Sequence, residues 1–294
     1  MRKTCFNMIY ELAKKDKRIV YIGSDVGSGT LQNMKEEMPD QFYMEGIQEQ
    51  NIIGMATGLA LSGKIVYVNT IATFITRRCF EQVLLDVGRH NAKVRLLANG
   101  GGLVYSVLGH THIAVDDIAL MRTVPNMTIV APCDAEEMKC LMPQTVDYPH
   151  PMYIRFAGDE PILPFRHVNI PFANIVQFST RPAKALIITT GATTQLAMVI
   201  KNAVIMHIPT IKPLDDKAIS IMALSTPKII TVEEHCINGG LGTAVLELLN
   251  KQGINKPVHR IGIPDGYCDM YGTREEQLQR YGITTEAIER AIVS

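Results

Sequence analysis

A single carboxylate stands at the head of an apolar run: Glu49, in "MEGIQEQNIIGMATGLALSG" (44–63), between Gln48 and Gln50. No charge occurs from Ile52 to Leu61, so the run reads as a helix lying inside the protein. An acid at such an entrance is either a first-turn residue favoured by the helix dipole or a buried acid placed for proton chemistry. Both readings stand on the residues alone. "NGGGLVYSVLGHTH" (99–112) ends in His110 and His112 and is too glycine-rich and irregular for a core element, which suits a site loop. "GGLG" (239–242) precedes a helical pattern and could cradle an anion, although close helix–strand packing is the better explanation of such glycines. The six cysteines, Cys5, Cys79, Cys133, Cys140, Cys236 and Cys268, form no CxxC pair, and no metal-ligand spacing is present.

These groups need elements to hold them. "KRIVYIG" (17–23), "KIVYVN" (64–69), "KVRLLAN" (93–99), "MTIVAP" (127–132) and "PMYIRF" (151–156) read as strands. Helical patterns lie between them at 4–15, 48–62, 76–90, 115–124 and 134–146. Continuous apolar strands alternating with helices predict an α/β chain with a mainly parallel sheet covered on both faces. In such sheets ligands collect beyond the carboxyl ends of the strands. Asp25, residues 70–76 and the glycine-rich loop all follow predicted strand ends. "AGDEPILPFRHVNIPF" (157–172), with three prolines, reads as a linker. A second alternation follows, with strands at 185–191, 228–235 and 258–264 and helices at 239–253 and 273–292. The division expected is therefore two domains, 1–160 and 182–294, each a mainly parallel sheet flanked by helices, joined by a linker at 161–181.

Composition narrows the function classes. The 294 residues are 47% hydrophobic and 20% charged, a globular profile. Lys plus Arg and Asp plus Glu each number 29, so no basic surplus points to nucleic acid or anionic membrane. Near-neutral charge does little to oppose association and suits a subunit covered by partners. Scattered cysteines and the lack of a long apolar span lead to the expectation of a cytoplasmic protein with free thiols.

Several segments together resemble one family. They are residues 44–63, "TFITRRCFEQV" (73–83), "GHTHIAVDDIALMRTVPNMTIVAPCDAEEM" (109–138), "TIKPLDDKAI" (210–219), "EEHCINGGLGTAVLELL" (233–249) and "YGITTEAI" (281–288). In collinear order they resemble the carboxyl-terminal half of the transketolase and deoxyxylulose-phosphate synthase superfamily, and in particular the smaller chain of split transketolases. The resemblance implies a pyrimidine-binding domain followed by a transketolase C-terminal domain, and thiamine diphosphate with Mg2+ as cofactors. The family's Gly-Asp-Gly motif for the diphosphate and metal does not occur, so a companion chain would hold that end, in a heterotetramer of two chains of each kind.

By the same resemblance, Glu49 matches the acid that engages the aminopyrimidine. Phe74 matches the aromatic residue stacked on that ring, and Ile71 would line the same pocket. Asp25, in "GSDVG", matches an aspartate near the thiazolium end, with Val26 as an apolar prop. His112 matches a substrate-channel histidine able to shuttle protons, whereas His110 falls at a variable position. Arg77 falls where some members carry an arginine for substrate phosphate, and an ordinary solvated arginine is an equal reading.

Three family anchors are absent: a histidine at Gly100, an aspartate at Leu108 and an arginine at Gly158. Tyr105 and aliphatic residues stand nearby instead, which implies ketol transfer on a modified or nucleotide-linked sugar. Arg78, Arg122 or Arg155 could restore a phosphate contact, with Arg155 read as structural because it lies in a strand interior. The segment 192–209 is too short for the family's usual helix, loop and strand, so a shortened helix running almost directly into a strand is expected, with altered assembly geometry. Two alternatives remain open, the β subunit of a 2-oxo acid dehydrogenase and a non-catalytic scaffold subunit.

Overall fold

The computed structural model describes residues 1–25, 31–158, 161–163, 183–294 and, for its backbone, 176–179. A seven-stranded sheet has the order β10-β5-β6-β4-β3-β1-β2. Its strands are β1 (Ile19–Gly23), β2 (Phe42–Met44), β3 (Ile65–Ile71), β4 (Val94–Asn99), β5 (Thr128–Val130), β6 (Met152–Phe156) and β10 (Thr210–Lys212). Six are parallel, and β10 pairs antiparallel with β5. Every residue of β1, β3, β4 and β6 is buried. Such strands need both sheet faces covered, which is why they read as unbroken apolar runs. Val20, Ile22, Val66, Val68 and Leu96 pack on one face, and Ile19, Tyr21, Ile65, Tyr67 and Leu97 on the other.

The second sheet has the order β12-β11-β8-β9-β7, formed by β7 (Val176–Ser179), β8 (Ala185–Thr189), β9 (Ala203–His207), β11 (Ile229–Cys236) and β12 (Val258–Ile263). All its pairings are parallel except β7 with β9. The helix Leu241–Lys251 covers one face, and Thr285–Val293 packs with the cluster on the other.

Four expectations need correction. The linker 161–181 is not wholly irregular, because β7 begins at Val176 and joins the second sheet. The helix predicted at 76–90 starts earlier, at Ala72–Thr76, and after Phe80–Gln82 widens into i→i+5 turns over Val83–Arg89. The helix Glu49–Leu61 does not lie entirely inside. Ile52, Ile53 and Ala56 face the core, but Asn51, Gly54, Gly58 and Leu61 form an outward stripe. Residues 210–212, expected with the second half, instead extend the first sheet. The shortened segment does run from a four-residue helix (Thr194–Ala197) through one turn into β9.

Candidate active site

The carboxyl ends of β1, β3 and β4 lie side by side, because these strands are parallel neighbours. β1 delivers Ser24 and Asp25. The Ser24 hydroxyl lies 3.0 Å from Thr70 Oγ1 and 3.1 Å from Asp25 Oδ1. Asp25 itself is exposed, and Val26 lies outside the described residues. β3 ends at Ile71, which is 7% exposed and leads directly into the helix Ala72–Thr76 that carries Phe74. Ile71 therefore belongs to a strand end.

Glu49 reaches this rim from β2. Gly46, with φ of +79°, turns the chain after that strand, a conformation open to glycine at little cost. The helix Glu49–Leu61 then begins, and Glu49 is 2% exposed. Both carboxylate oxygens accept hydrogen bonds from Arg78 Nη1, at 3.0 and 2.9 Å. The Arg78 guanidinium also lies over the Phe74 ring, 4.0 Å from its centroid. The edge of the His112 ring meets Phe74 at 5.2 Å, with 69° between the planes. Acid, guanidinium, aromatic ring and imidazole thus form one connected stack. Thr111 Oγ1 lies 2.9 Å from His112 Nδ1, so that ring nitrogen is engaged within the loop.

Arg77 and Arg78 are adjacent but differently placed. Arg77 Nε contacts both oxygens of Asp116, at 3.0 and 2.8 Å, and Nη2 donates to the Ile113 carbonyl at 3.1 Å. It ties the helix to the loop that ends in His112. Arg78 keeps a side chain that is 42% exposed. Nothing in the sequence singles out Arg78 for Glu49.

The glycine-rich loop, whose last residue His112 meets Phe74, is closely packed near its start. At Gly100, with φ of +75°, a Cβ would lie 2.1 Å from Tyr105 Cε2. Tyr105 therefore fills the space that a side chain at Gly100 would need. Val107 and Leu108 are 56% and 51% exposed beside it. The ring of His110 meets Tyr267, at 5.3 Å, and does not join the stack. Gly100→His is expected to destabilise the fold by about 1–3 kcal/mol through overpacking. Adding Tyr105→Ala should recover the overpacking part of that loss but not the strain of a non-glycine residue at φ of +75°, and a urea double-mutant cycle with no coupling between the two changes would disprove this account.

Other candidate groups are used internally. Arg155 is buried. Its Nε donates to Asp117 Oδ2 at 2.7 Å, and its Nη2 donates to the Ala114 and Glu234 carbonyls at 3.2 and 2.9 Å. Arg122 pairs with Glu247 and donates to the Gly239 carbonyl. Gly158 has open space where a side chain would begin. At "GGLG" the N–H groups of Leu241 and Gly242 donate to the Glu233 carboxylate at 2.7 and 2.8 Å, so the anion at that helix end is the chain's own. Burial pushes the Glu233 carboxyl above its ordinary range. Cys133, Glu137 and His207, which show no spacing signal in sequence, converge in the core. There Glu137 Oε2 lies 2.9 Å from His207 Nε2 and accepts the Cys133 N–H at 2.7 Å.

The family model for the transketolase pyrimidine binding domain matches residues 1–159, and that for the transketolase C-terminal domain matches residues 176–288. The chain belongs to the transketolase family. One of the chains of the apulose-4-phosphate transketolase of Phocaeicola vulgatus is 38% identical, over 98% of this transketolase chain and 94% of the relative. The 6-deoxy-6-sulfo-D-fructose transketolase subunit SqwH of a Clostridium species is 29% identical, over 99% and 92% of the two chains. A solved split-gene transketolase, described as an inactive β4 tetramer, superposes with a TM-score of 0.88 at 27% identity, covering 99% of this chain and 96% of that one. The transketolase chain thus corresponds to the smaller chain of a split enzyme. No helix among the described residues is long and apolar enough to cross a membrane.

Proposed function

We propose that this chain is the pyrimidine-side subunit of a two-chain, thiamine diphosphate-dependent transketolase that moves a two-carbon ketol unit between sugars. The observation that carries the reading is the buried Glu49 carboxylate beside Phe74, at the joint carboxyl edge of parallel strands. The fit to an aminopyrimidine can be judged from the chain's own groups. A flat, nitrogen-bearing cation, the Arg78 guanidinium, rests on Phe74 and donates to Glu49. A shelf that accepts one planar nitrogen group suits another.

In this reading Phe74 and Ile71 hold the ring, and Asp25 faces the other end of the cofactor. When bound, the cofactor supplies the carbon that carries the ketol unit between sugars. Glu49 shares a proton between its carboxyl oxygen and the ring nitrogen, so that the bound ring can present an N–H to the acid. His112 offers its imidazole for proton exchange with substrate hydroxyls. The diphosphate and Mg2+ fall to a companion chain, because a doubly charged tail needs a cage of ligands that this sequence does not supply. An assembly of two chains of each kind is proposed, and the outward stripe Gly54, Gly58 and Leu61 is one surface that a partner could cover.

The substrate is proposed to be a sugar other than the ordinary pentose phosphates. Tyr105 in place of a side chain at Gly100, and the engagement of Arg77, Arg122 and Arg155 with their own partners, favour this choice. The relatives named for apulose 4-phosphate and for 6-deoxy-6-sulfo-D-fructose accord with it. Reconstitution with the companion chain and a steady-state panel of sugars provides the test. Efficient turnover of xylulose 5-phosphate with ribose 5-phosphate would refute the substrate assignment, and an absence of ketol transfer from every donor would refute the enzyme reading.

A further inference from the structure

We propose that Arg78 is a displaceable stand-in, whose guanidinium holds the shelf between Phe74 and Glu49 until a planar nitrogen ligand expels it. The inference rests on the functional reading above and goes beyond it, because it concerns the chain before any ligand arrives. A carboxylate that is 2% exposed is costly to leave ionised without a partner. Arg78 meets that need with Nη1, which lies within 3.0 Å of both oxygens, while its guanidinium plane covers the aromatic face at 4.0 Å. These are the two contacts that a flat amidine-type ligand would make in the same place: N–H donation to the acid and stacking on the ring. Arg78 and such a ligand cannot hold the shelf together.

The way Arg78 is held also permits its release. With 42% of its side chain exposed, the guanidinium can move into water without becoming a buried, unpaired charge. Neighbouring Arg77 is the contrast, since Asp116 and the Ile113 carbonyl anchor it to the adjoining loop. Expulsion therefore shifts one side chain and leaves the helix in place. Ligand affinity for the free chain is then lowered by the competition from Arg78, as for any protein whose binding-competent state is only partly populated. Small guanidinium and amidinium compounds are the chemical class that the emptied shelf would take.

The test uses the full-length chain alone, wild type and Arg78→Ala, with thiamine as the ring-bearing probe and methylguanidinium as the mimic. Far-UV circular dichroism checks folding, and Arg78→Lys keeps the charge without the plane should the alanine variant fold poorly. Titration calorimetry should show thiamine binding about tenfold or more tighter to Arg78→Ala than to wild type. Methylguanidinium should raise the melting temperature of Arg78→Ala, with a smaller rise for wild type and none for Glu49→Gln/Arg78→Ala. Equal or weaker thiamine binding by Arg78→Ala would overturn the stand-in. If the wild-type assembled pair nevertheless loads thiamine diphosphate, the functional reading survives that result. If the pair loads none, both fall.

Discussion

Glu49→Gln in the reconstituted two-chain enzyme is expected to lower kcat by about 10²–10⁴-fold, the usual contribution of a positioned acid–base group. Glutamine keeps the shape of the side chain and an oxygen acceptor, but its amide cannot hold and release a proton at the ring nitrogen. The fold should change little, because the partner left behind, Arg78, is 42% exposed and can turn to water. Thiamine diphosphate should still bind, so the loss belongs in kcat and not in assembly. Steady-state kinetics beside a cofactor titration separate the two. An undiminished kcat would remove Glu49 from the mechanism.

The largest stability effect is expected at a site far less visible in sequence. Asp117 is fully buried, accepts hydrogen bonds from Arg155 Nε and the Tyr153 hydroxyl at 2.7 Å each, and lies 3.9 Å from His235 Nε2. Burial alone would push its carboxyl up. The charges of Arg155 and His235, with the hydrogen bonds from Arg155 and Tyr153, outweigh that and hold it below its ordinary value. Asp117→Asn leaves the buried Arg155 guanidinium without its counter-charge, and breaking a buried pair from one side costs about 3–5 kcal/mol. Urea unfolding at neutral pH should show a loss of that size, and a change under about 0.5 kcal/mol would match a surface substitution and disprove the assignment. The pH dependence has a definite sign. A carboxyl whose native pKa is lowered stabilises the fold above its unfolded value, about 3.9, and that contribution disappears as the pH falls through the lower native value. The gap between wild type and Asp117→Asn should therefore narrow in acid.

What was legible in the sequence followed from local rules. The strands β1, β3, β4 and β6 could be read because burial on both faces demands apolar residues at every position. Glu49 stood out because a lone charge before an uncharged helix is conspicuous, and the family resemblance supplied Phe74 and His112. The edge strands β2 and β10, of three residues each, did not show, since tertiary pairing and not composition makes them strands. The outward stripe at Gly54 and Gly58 was hidden because glycine counts as neither polar nor apolar in a periodicity. Arg78 was noticed only as a possible phosphate contact. Its placement depends on a helix break after Thr76 and on the depth of Glu49, neither of which its own neighbours encode. The convergence of Cys133, Glu137 and His207 was equally invisible, because seventy positions separate Glu137 from His207.

The antiparallel pairing of Thr210–Lys212 with Thr128–Val130 bears on how such a chain could be rebuilt. The later half hands a border strand back to the earlier one, so the polypeptide is laced together and not simply threaded through its connector. Any recombination that exchanged one half for a relative's would need to carry this returning tripeptide and its receiving edge as a matched pair. Otherwise the first sheet would be left with an open margin at β5.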